Sequence, residues 1–214
     1  AVNIAAGICY FLWDRDHAGQ CEITNWNSDN PVVMERQLNE FPILIRSNLA
    51  VSIVHKVMNV SPDVHSNHAY PRNPFGFATN YRGRNERIPG DIELLTSVGF
   101  CYVSRKEDTK NTDIIDSYKV LIGRLVPSNG ELDVNSKEGY KVITDTRIIG
   151  AGEINTETYL DIGVFDTEQE AINFDRYLKC KLPRFLLRQA ISSLNVSRDC
   201  FRFVPYLDFK EQWT

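Results

Sequence analysis

Residues 72–87 concentrate side chains that can bind nucleic acid. Guanidinium, amide and aromatic groups occur there on a stretch rich in proline and glycine. Arginine can bind guanine through two hydrogen bonds, asparagine can bind adenine in the same way, and an aromatic ring can stack on an unstacked base. The residues with this potential are Arg72, Asn73, Phe75, Asn80, Tyr81, Arg82 and Arg84.

The same segment also has a purely structural interpretation. Its prolines and glycines would brace a loop that packs its own aromatic rings into the core and leaves its arginines in solvent. Composition leaves the two interpretations open. So many helix breakers exclude a helix, and we predict a long loop over residues 72–90 with a short extended piece at residues 75–81.

A second basic segment covers residues 176–202 and holds seven bases against one acid, Asp199. The apolar spacing predicts two amphipathic helices there, with an interruption at Pro183. In one interpretation their bases position a DNA duplex by contacting phosphates without reading sequence. In the other they are the solvated face of the helices. The bases concerned are Lys179, Lys181, Arg184 and Arg188.

The net charge of −4 on 214 residues argues at first against a nucleic-acid partner. It hides an asymmetry, because residues 72–87 carry +3 and residues 176–202 carry +6, which leaves −13 for the rest. A chain divided in this way can present a basic face while staying acidic overall. The acidic remainder keeps open a protein-interaction domain that binds no DNA.

Motifs for other chemistry are missing or incomplete. No glycine-rich phosphate loop, nucleophile elbow or H-E-x-x-H sequence occurs. The five cysteines are odd in number and widely spaced, which favours buried, reduced thiols over zinc or disulfides. The one close histidine pair, His65 and His68, has no second ligand cluster, so we expect both on a surface loop rather than on a metal.

A metal-dependent nuclease is the enzyme alternative. It would need clustered carboxylates with a lysine to hold Mg²⁺ and activate water. Asp91 and Glu93 have no lysine near them, and Glu138 with Lys141 lies in a predicted turn. We therefore expect no catalytic site in this chain.

The predicted elements indicate a mixed α+β class, strand-rich in the first two thirds and helical toward the C-terminus. A hairpin is predicted from strands 8–13 and 20–24 around a loop at 15–19, with later strands at 97–104, 118–125 and 158–165. A helix is predicted at 47–57 and an extended piece at 200–203. We expect one domain over residues 1–214, or a β-rich subdivision 1–155 followed by an α/β subdivision 156–214. No apolar stretch could span a membrane and no signal peptide opens the chain, so we expect a cytoplasmic protein.

Several segments, in order along the chain, resemble one family of bacterial restriction-modification proteins that methylate adenine at N6. Residues 6–14 resemble a "GGVCYFLWD" run that follows the methylase core of that family, with Ala6 in place of the first glycine. Residues 74–81 are similar to "PFGL-x-TNF", and residues 157–163 to "TETYLVIG". Tyr177, residues 184–187, 203–205, 208–209 and 213–214 resemble the family's closing pattern.

The resemblance implies a target-recognition region that grips double-stranded DNA beside a flipped adenine. It implies that S-adenosylmethionine binding and the N-P-P-[YF] motif belong to a methyltransferase domain of the same polypeptide, upstream of this chain. Asn73-Pro74-Phe75 lacks the second proline of that motif. The chain is therefore expected to be a piece of a site-specific DNA methyltransferase, and whether the whole protein also cleaves DNA is left open.

Overall fold

The computed structural model describes residues 9–27, 30–107, 109–127 and 141–213. Within these ranges it is a mixed α+β protein whose sheets lie mostly in the first two thirds, as predicted. The strands are β1 (Cys21–Asn27), β2 (Asn30–Arg36), β3 (Asp91–Thr96), β4 (Gly99–Ser104), β5 (Tyr118–Gly123), β6 (Arg147–Ile149), β7 (Glu153–Asn155) and β8 (Tyr159–Phe165). The helices are α1 (Val51–Val60), α2 (Glu168–Lys179) and α3 (Lys181–Ala190), and none of them has the length and apolarity needed to cross a membrane.

The N-terminal hairpin differs from the predicted one. β1 pairs antiparallel with β2, whereas residues 9–13 form no strand and expose their side chains. The side-chain amide of Asn48 explains the pairing, because it donates to the carbonyls of Ile23 at 2.7 Å and Val32 at 2.9 Å, one on each strand. A buried contact far along the chain thus selects β2 over the apolar run at 9–13 as the partner of β1.

Two three-stranded sheets form the centre of the fold. One has the order β4-β3-β7, with β3 antiparallel to β4 and parallel to β7, and the other has the order β6-β5-β8 and is antiparallel throughout. The predicted strand 97–104 proves to be β4 alone, preceded by β3. The sequence does not predict β6 and β7, since three residues are too few to show the alternation of a strand.

The helix boundaries follow local chemistry. Thr167 caps α2 in a reciprocal capping box with Glu170, as the sequence predicts. The break between α2 and α3 lies at Cys180, and Pro183 sits in the first turn of α3, where a proline costs little. The predicted extended piece at 200–203 is wrong, because a 3-10 helix covers Arg198–Phe201. The predicted helix 47–57 is confirmed as a 3-10 turn at Asn48–Ala50 leading into α1.

Three groups of buried apolar side chains hold the elements together. The main core fills the space between one face of the β6-β5-β8 sheet and the helices, and it draws residues from Ile45 to Phe209. A second group lies beneath the 72–90 loop, between β3, β4 and β7. A third, formed by Leu95, Leu121 and Ile149, joins the two three-stranded sheets. The loop with the candidate DNA-binding residues therefore rests on its own small core.

Candidate nucleic-acid interface

The aromatic residues of the 72–84 loop point inward. Phe75 is fully buried and Phe77 is 5% exposed, and both pack against Ile92, Leu94 and other members of the second core group. Phe75 was predicted to contact DNA, but its ring is enclosed by protein in this structure and is not presented to a base. For these rings the fold displays the structural interpretation of the loop.

Glu157, immediately before β8, holds the loop at three points. Its Oε2 accepts from Arg72 Nε at 2.9 Å, and its Oε1 lies 3.4 Å from both the backbone nitrogen and the hydroxyl of Thr79. Its own backbone nitrogen donates to the carbonyl of Phe77 at 2.9 Å. The hydrogen bond from Arg72 outweighs the opposing effect of burial, and the pKa of Glu157 is lowered. The carboxylate therefore stays ionised and keeps the loop closed.

A tight turn opens the loop at Asn73. This residue has a φ of 59°, the left-handed conformation that asparagine tolerates better than most residues. The carbonyl of the next residue, Pro74, accepts a hydrogen bond from Asn111 Nδ2 at 2.5 Å. Asn73 is half-buried and its Oδ1 has no hydrogen-bond partner within the described ranges, so the residue shapes the turn rather than standing free at the surface.

Arg84 is fixed to the body of the protein. Its guanidinium pairs with Asp91, whose side chain is 1% exposed, and its backbone nitrogen donates to the Tyr102 carbonyl at 2.8 Å. Gly83 permits this approach, because a Cβ there would lie 2.4 Å from the Tyr102 oxygen. Asp91, a candidate carboxylate for the nuclease alternative, is thus committed to Arg84 and to the Ile88 backbone nitrogen at 3.1 Å.

Asn80 and Arg82 are the exposed polar residues between these anchors. Arg82 Nη1 donates to the carbonyls of Thr79 at 3.0 Å and Tyr81 at 2.7 Å, and no ion pair joins its guanidinium to a carboxylate in the described portion of the chain. Tyr81, half-buried between them, donates its hydroxyl to Glu107 at 2.6 Å. Burial and this hydrogen bond raise the pKa of Tyr81 to about 12, so the phenol stays neutral.

The basic residues of α2 and α3 fall into two kinds. Lys179 forms an ion pair with Asp175 at 2.6 Å, and Arg188 is half-buried. Lys181 and Arg184 are exposed near the start of α3, where Arg184 Nε lies 3.4 Å from the Cys180 carbonyl. Of the predicted phosphate contacts, these two are the ones that the fold leaves accessible.

The histidine prediction needs a correction. His65 is fully buried, not on the surface: its Nε2 contacts the Ile162 carbonyl and its ring stacks on Phe174 at a centroid distance of 4.3 Å. Burial lowers the pKa of His65 to about 4, so the ring is neutral. Across the described ranges no three His, Cys, Asp or Glu side chains come together in a way that could hold a metal.

All five cysteines are free thiols. Cys101 and Cys200 are buried, as predicted, Cys21 and Cys180 are intermediate, and Cys9 is exposed. The expectation of buried thiols is therefore wrong for Cys9, because the strand expected to bury it does not form.

Behind the loop lies a buried polar cluster that sequence reasoning missed. Asp161 Oδ2 accepts from Asn155 Nδ2 at 2.8 Å, and the Asp161 carbonyl accepts from the Tyr70 backbone nitrogen at 2.9 Å. Lys119 is buried nearby and donates to three backbone carbonyls at 2.6–3.0 Å. Burial raises the pKa of Asp161 to about 7, against the opposing effects of Asn155 and Lys119, and lowers the pKa of Lys119 to about 8.

Comparison with known proteins yields no relative for this chain. No family model, no curated protein and no solved structure matches it. The resemblance of short segments to adenine methyltransferases thus stays a prediction. Function has to be argued from the geometry of the residues themselves.

Proposed function

We propose that this chain recognises a DNA target sequence for an adenine-N6 restriction-modification methyltransferase. The observation that supports this most strongly is Arg82. Its guanidinium is exposed on a loop whose ends are anchored, and no carboxylate within the described residues neutralises it. An arginine held in this way retains the donors that bind the guanine edge.

The anchoring of the loop also favours recognition. Phe75 and Phe77 from below and Glu157 from the side fix the backbone before any partner arrives. A recognition surface that is ordered in advance loses less conformational entropy on binding. Asn80 and Arg82 would read base edges, while Arg72 and Arg84, which are already ion-paired, would support the loop.

Phosphate contact is the proposed role of Lys181 and Arg184. Both side chains are exposed at the start of α3, and the segment around them carries a surplus of positive charge. Such contacts position a duplex but carry no sequence information. S-adenosylmethionine and the methyl-transfer chemistry are proposed to belong to a methyltransferase domain of the same polypeptide, and the whole protein to work in the bacterial cytoplasm.

Fluorescence anisotropy with mixed-sequence duplex DNA at two salt concentrations tests the proposal. We expect binding that weakens as salt rises, because each phosphate contact releases counterions. Lys181→Ala should lower affinity on every duplex and reduce the salt dependence, whereas Lys106→Ala, at an exposed position outside both basic segments, should not. Absence of binding at low salt would contradict DNA recognition by this chain.

A protein-interaction role is the second candidate, and one observation favours it. Four consecutive apolar side chains are almost fully exposed, with Tyr10 at 81%, Phe11 at 87%, Leu12 at 96% and Trp13 at 73%. Exposed apolar runs of this kind usually mark a contact surface. If this role is the correct one, Leu12→Asp should abolish association with a methyltransferase domain, and the wild-type chain should bind no DNA.

A further inference from the structure

An open groove of about 420 Å³ lies beside the start of the 72–84 loop. Its volume is within the range of sites that take small organic molecules. The residues that line it include three rings, a proline, a valine and an amide: Asn67, His68, Tyr70, Pro71, Val164 and Tyr206. We call it the Tyr206 groove.

The ring of Tyr206 is fixed before any ligand binds. His68 stacks on it with a centroid distance of 3.5 Å and an interplanar angle of 12°, and Phe209 packs edge-on at 5.7 Å. His68 Nε2 donates to Asp63 Oδ2 at 2.8 Å, and the Asn67 amide donates to Asp63 Oδ1 at 3.3 Å. Desolvation raises the pKa of acids, but these hydrogen bonds outweigh it and lower the pKa of Asp63, so its carboxylate is ionised.

The polar groups at the groove define what it can accept. Tyr70 Oη, Tyr206 Oη and His68 Nδ1 make no hydrogen bond with another described residue. Burial raises the pKa of Tyr206, and the charges of Asp63, Glu170 and Asp208 raise it further, so this surface is electrostatically negative. A phosphate would be repelled there, whereas a planar group with N–H donors would find both a stacking ring and an acceptor.

We propose that the Tyr206 groove binds a planar nucleobase that carries an amino group, such as adenine or cytosine. The base stacks on the aromatic wall, and its amino group donates toward Asp63. The source of the base is a free nucleoside or an unstacked base of bound DNA. The proposal goes beyond recognition by the 72–84 loop and does not require it, because free nucleosides probe the groove directly.

The test is an NMR titration that follows the amide signals of Gly163 and Val164, which border the groove. The ligands are adenosine, cytidine, thymidine and adenosine monophosphate. Adenosine and cytidine should shift these signals, while thymidine, without an amino group, and the monophosphate, with its negative charge, should bind more weakly by about threefold or more. No shift with adenosine, or equal binding of thymidine or of the monophosphate, overturns the proposal.

Variants separate stacking from folding. Tyr206→Leu should weaken adenosine binding about tenfold, which corresponds to about 1.4 kcal/mol, and Tyr206→Phe should retain it. Tyr10→Leu, the same change at an exposed tyrosine far along the sequence, is the matched control and should change nothing. If Tyr206→Leu fails to fold, Asp63→Asn decides, since it should remove the preference for adenosine over thymidine. Unchanged affinity and preference in these variants would contradict the proposal.

A final arm identifies the source of the base. A duplex with one unpaired adenine is compared with its fully paired counterpart, in the wild type and in Tyr206→Phe and Tyr206→Leu. Tighter binding of the unpaired adenine that Leu abolishes and Phe keeps assigns the groove to DNA. Equal binding of the two duplexes, together with nucleoside binding, assigns it to a free nucleoside. Loss of all DNA binding with nucleoside binding intact would refute the proposed DNA recognition and leave the groove standing.

Discussion

Arg72 Nε donates to Glu157 Oε2 at 2.9 Å, across 85 positions of sequence, and so joins the start of the candidate recognition loop to the residue before β8. The same carboxylate reaches Thr79, so one side chain fixes both ends of the segment 72–79. The shape of the exposed surface at Asn80 and Arg82 therefore depends on an acid that lies outside the loop.

Replacement of Glu157 with alanine should loosen the loop. Loss of its side-chain hydrogen bonds should lower the free energy of unfolding by about 1–2 kcal/mol, and no more, because Arg72 is largely exposed. Urea denaturation measures the change. Glu86→Ala, an exposed glutamate in the same loop region, is the control and should be neutral. Equal stability of wild type and Glu157→Ala would show that the clamp contributes nothing.

Phe75 should behave as a core residue. Phe75→Ala removes a fully buried ring and should cost about 3–5 kcal/mol of unfolding free energy, measured by thermal or urea denaturation. Phe100→Ala, at a ring that is 51% exposed, should cost much less. If Phe75→Ala is well tolerated while DNA binding is lost, the ring is a base contact and its burial beneath the loop is not its role.

Asp161 predicts a pH dependence of stability in the acid to neutral range. Burial raises its pKa to about 7, whereas the unfolded chain titrates near 3.8, so the folded state favours the protonated acid. Its contribution is complete below pH 3.8 and is lost as the pH rises to about 7. Asp161→Asn keeps the shape, so its stability relative to wild type should rise between pH 4 and 7. A difference that is constant over that interval would contradict the assignment.

His65 predicts an effect of the opposite sign. Burial lowers its pKa from 6.5 to about 4, so the folded state favours the neutral ring. The stability it contributes is complete above pH 6.5 and is lost as the pH falls toward 4. His65→Phe should remove this loss, as seen in urea midpoints at several pH values, while His55→Gln, at a half-exposed histidine, should not. Matching pH profiles for wild type and His65→Phe would refute the prediction.

Local sequence signals predicted the local structure well. The capping box of Thr167 and Glu170 marked the start of α2, and the apolar run at 118–125 gave β5, because such signals act within a few residues. The mixed α+β class followed from elements of this kind. Partnership between distant segments was not readable, and the exposed run at 9–13 shows it: high apolarity predicted a strand, yet Asn48 joins β1 to β2 instead.

The candidate site was predicted as a segment but not as a geometry. Composition located the loop, and the structure then separates buried Phe75, ion-paired Arg72 and Arg84, and exposed Asn80 and Arg82. The three acids that matter most to the loop and the groove, Glu157, Asp161 and Asp63, carried no distinguishing pattern. Each acts through partners that only folding brings near, so no periodicity or motif could have identified them.

Selection of duplexes from a random library by the wild-type chain and by Arg82→Ala tests the central claim most directly. The account predicts that the wild type enriches a defined sequence and that Arg82→Ala loses the preference for a guanine at one position, a loss worth about 1–3 kcal/mol. Lys181→Ala should keep the full sequence preference at lower affinity. An unenriched library, or the same enriched sequence for wild type and Arg82→Ala, would contradict the account.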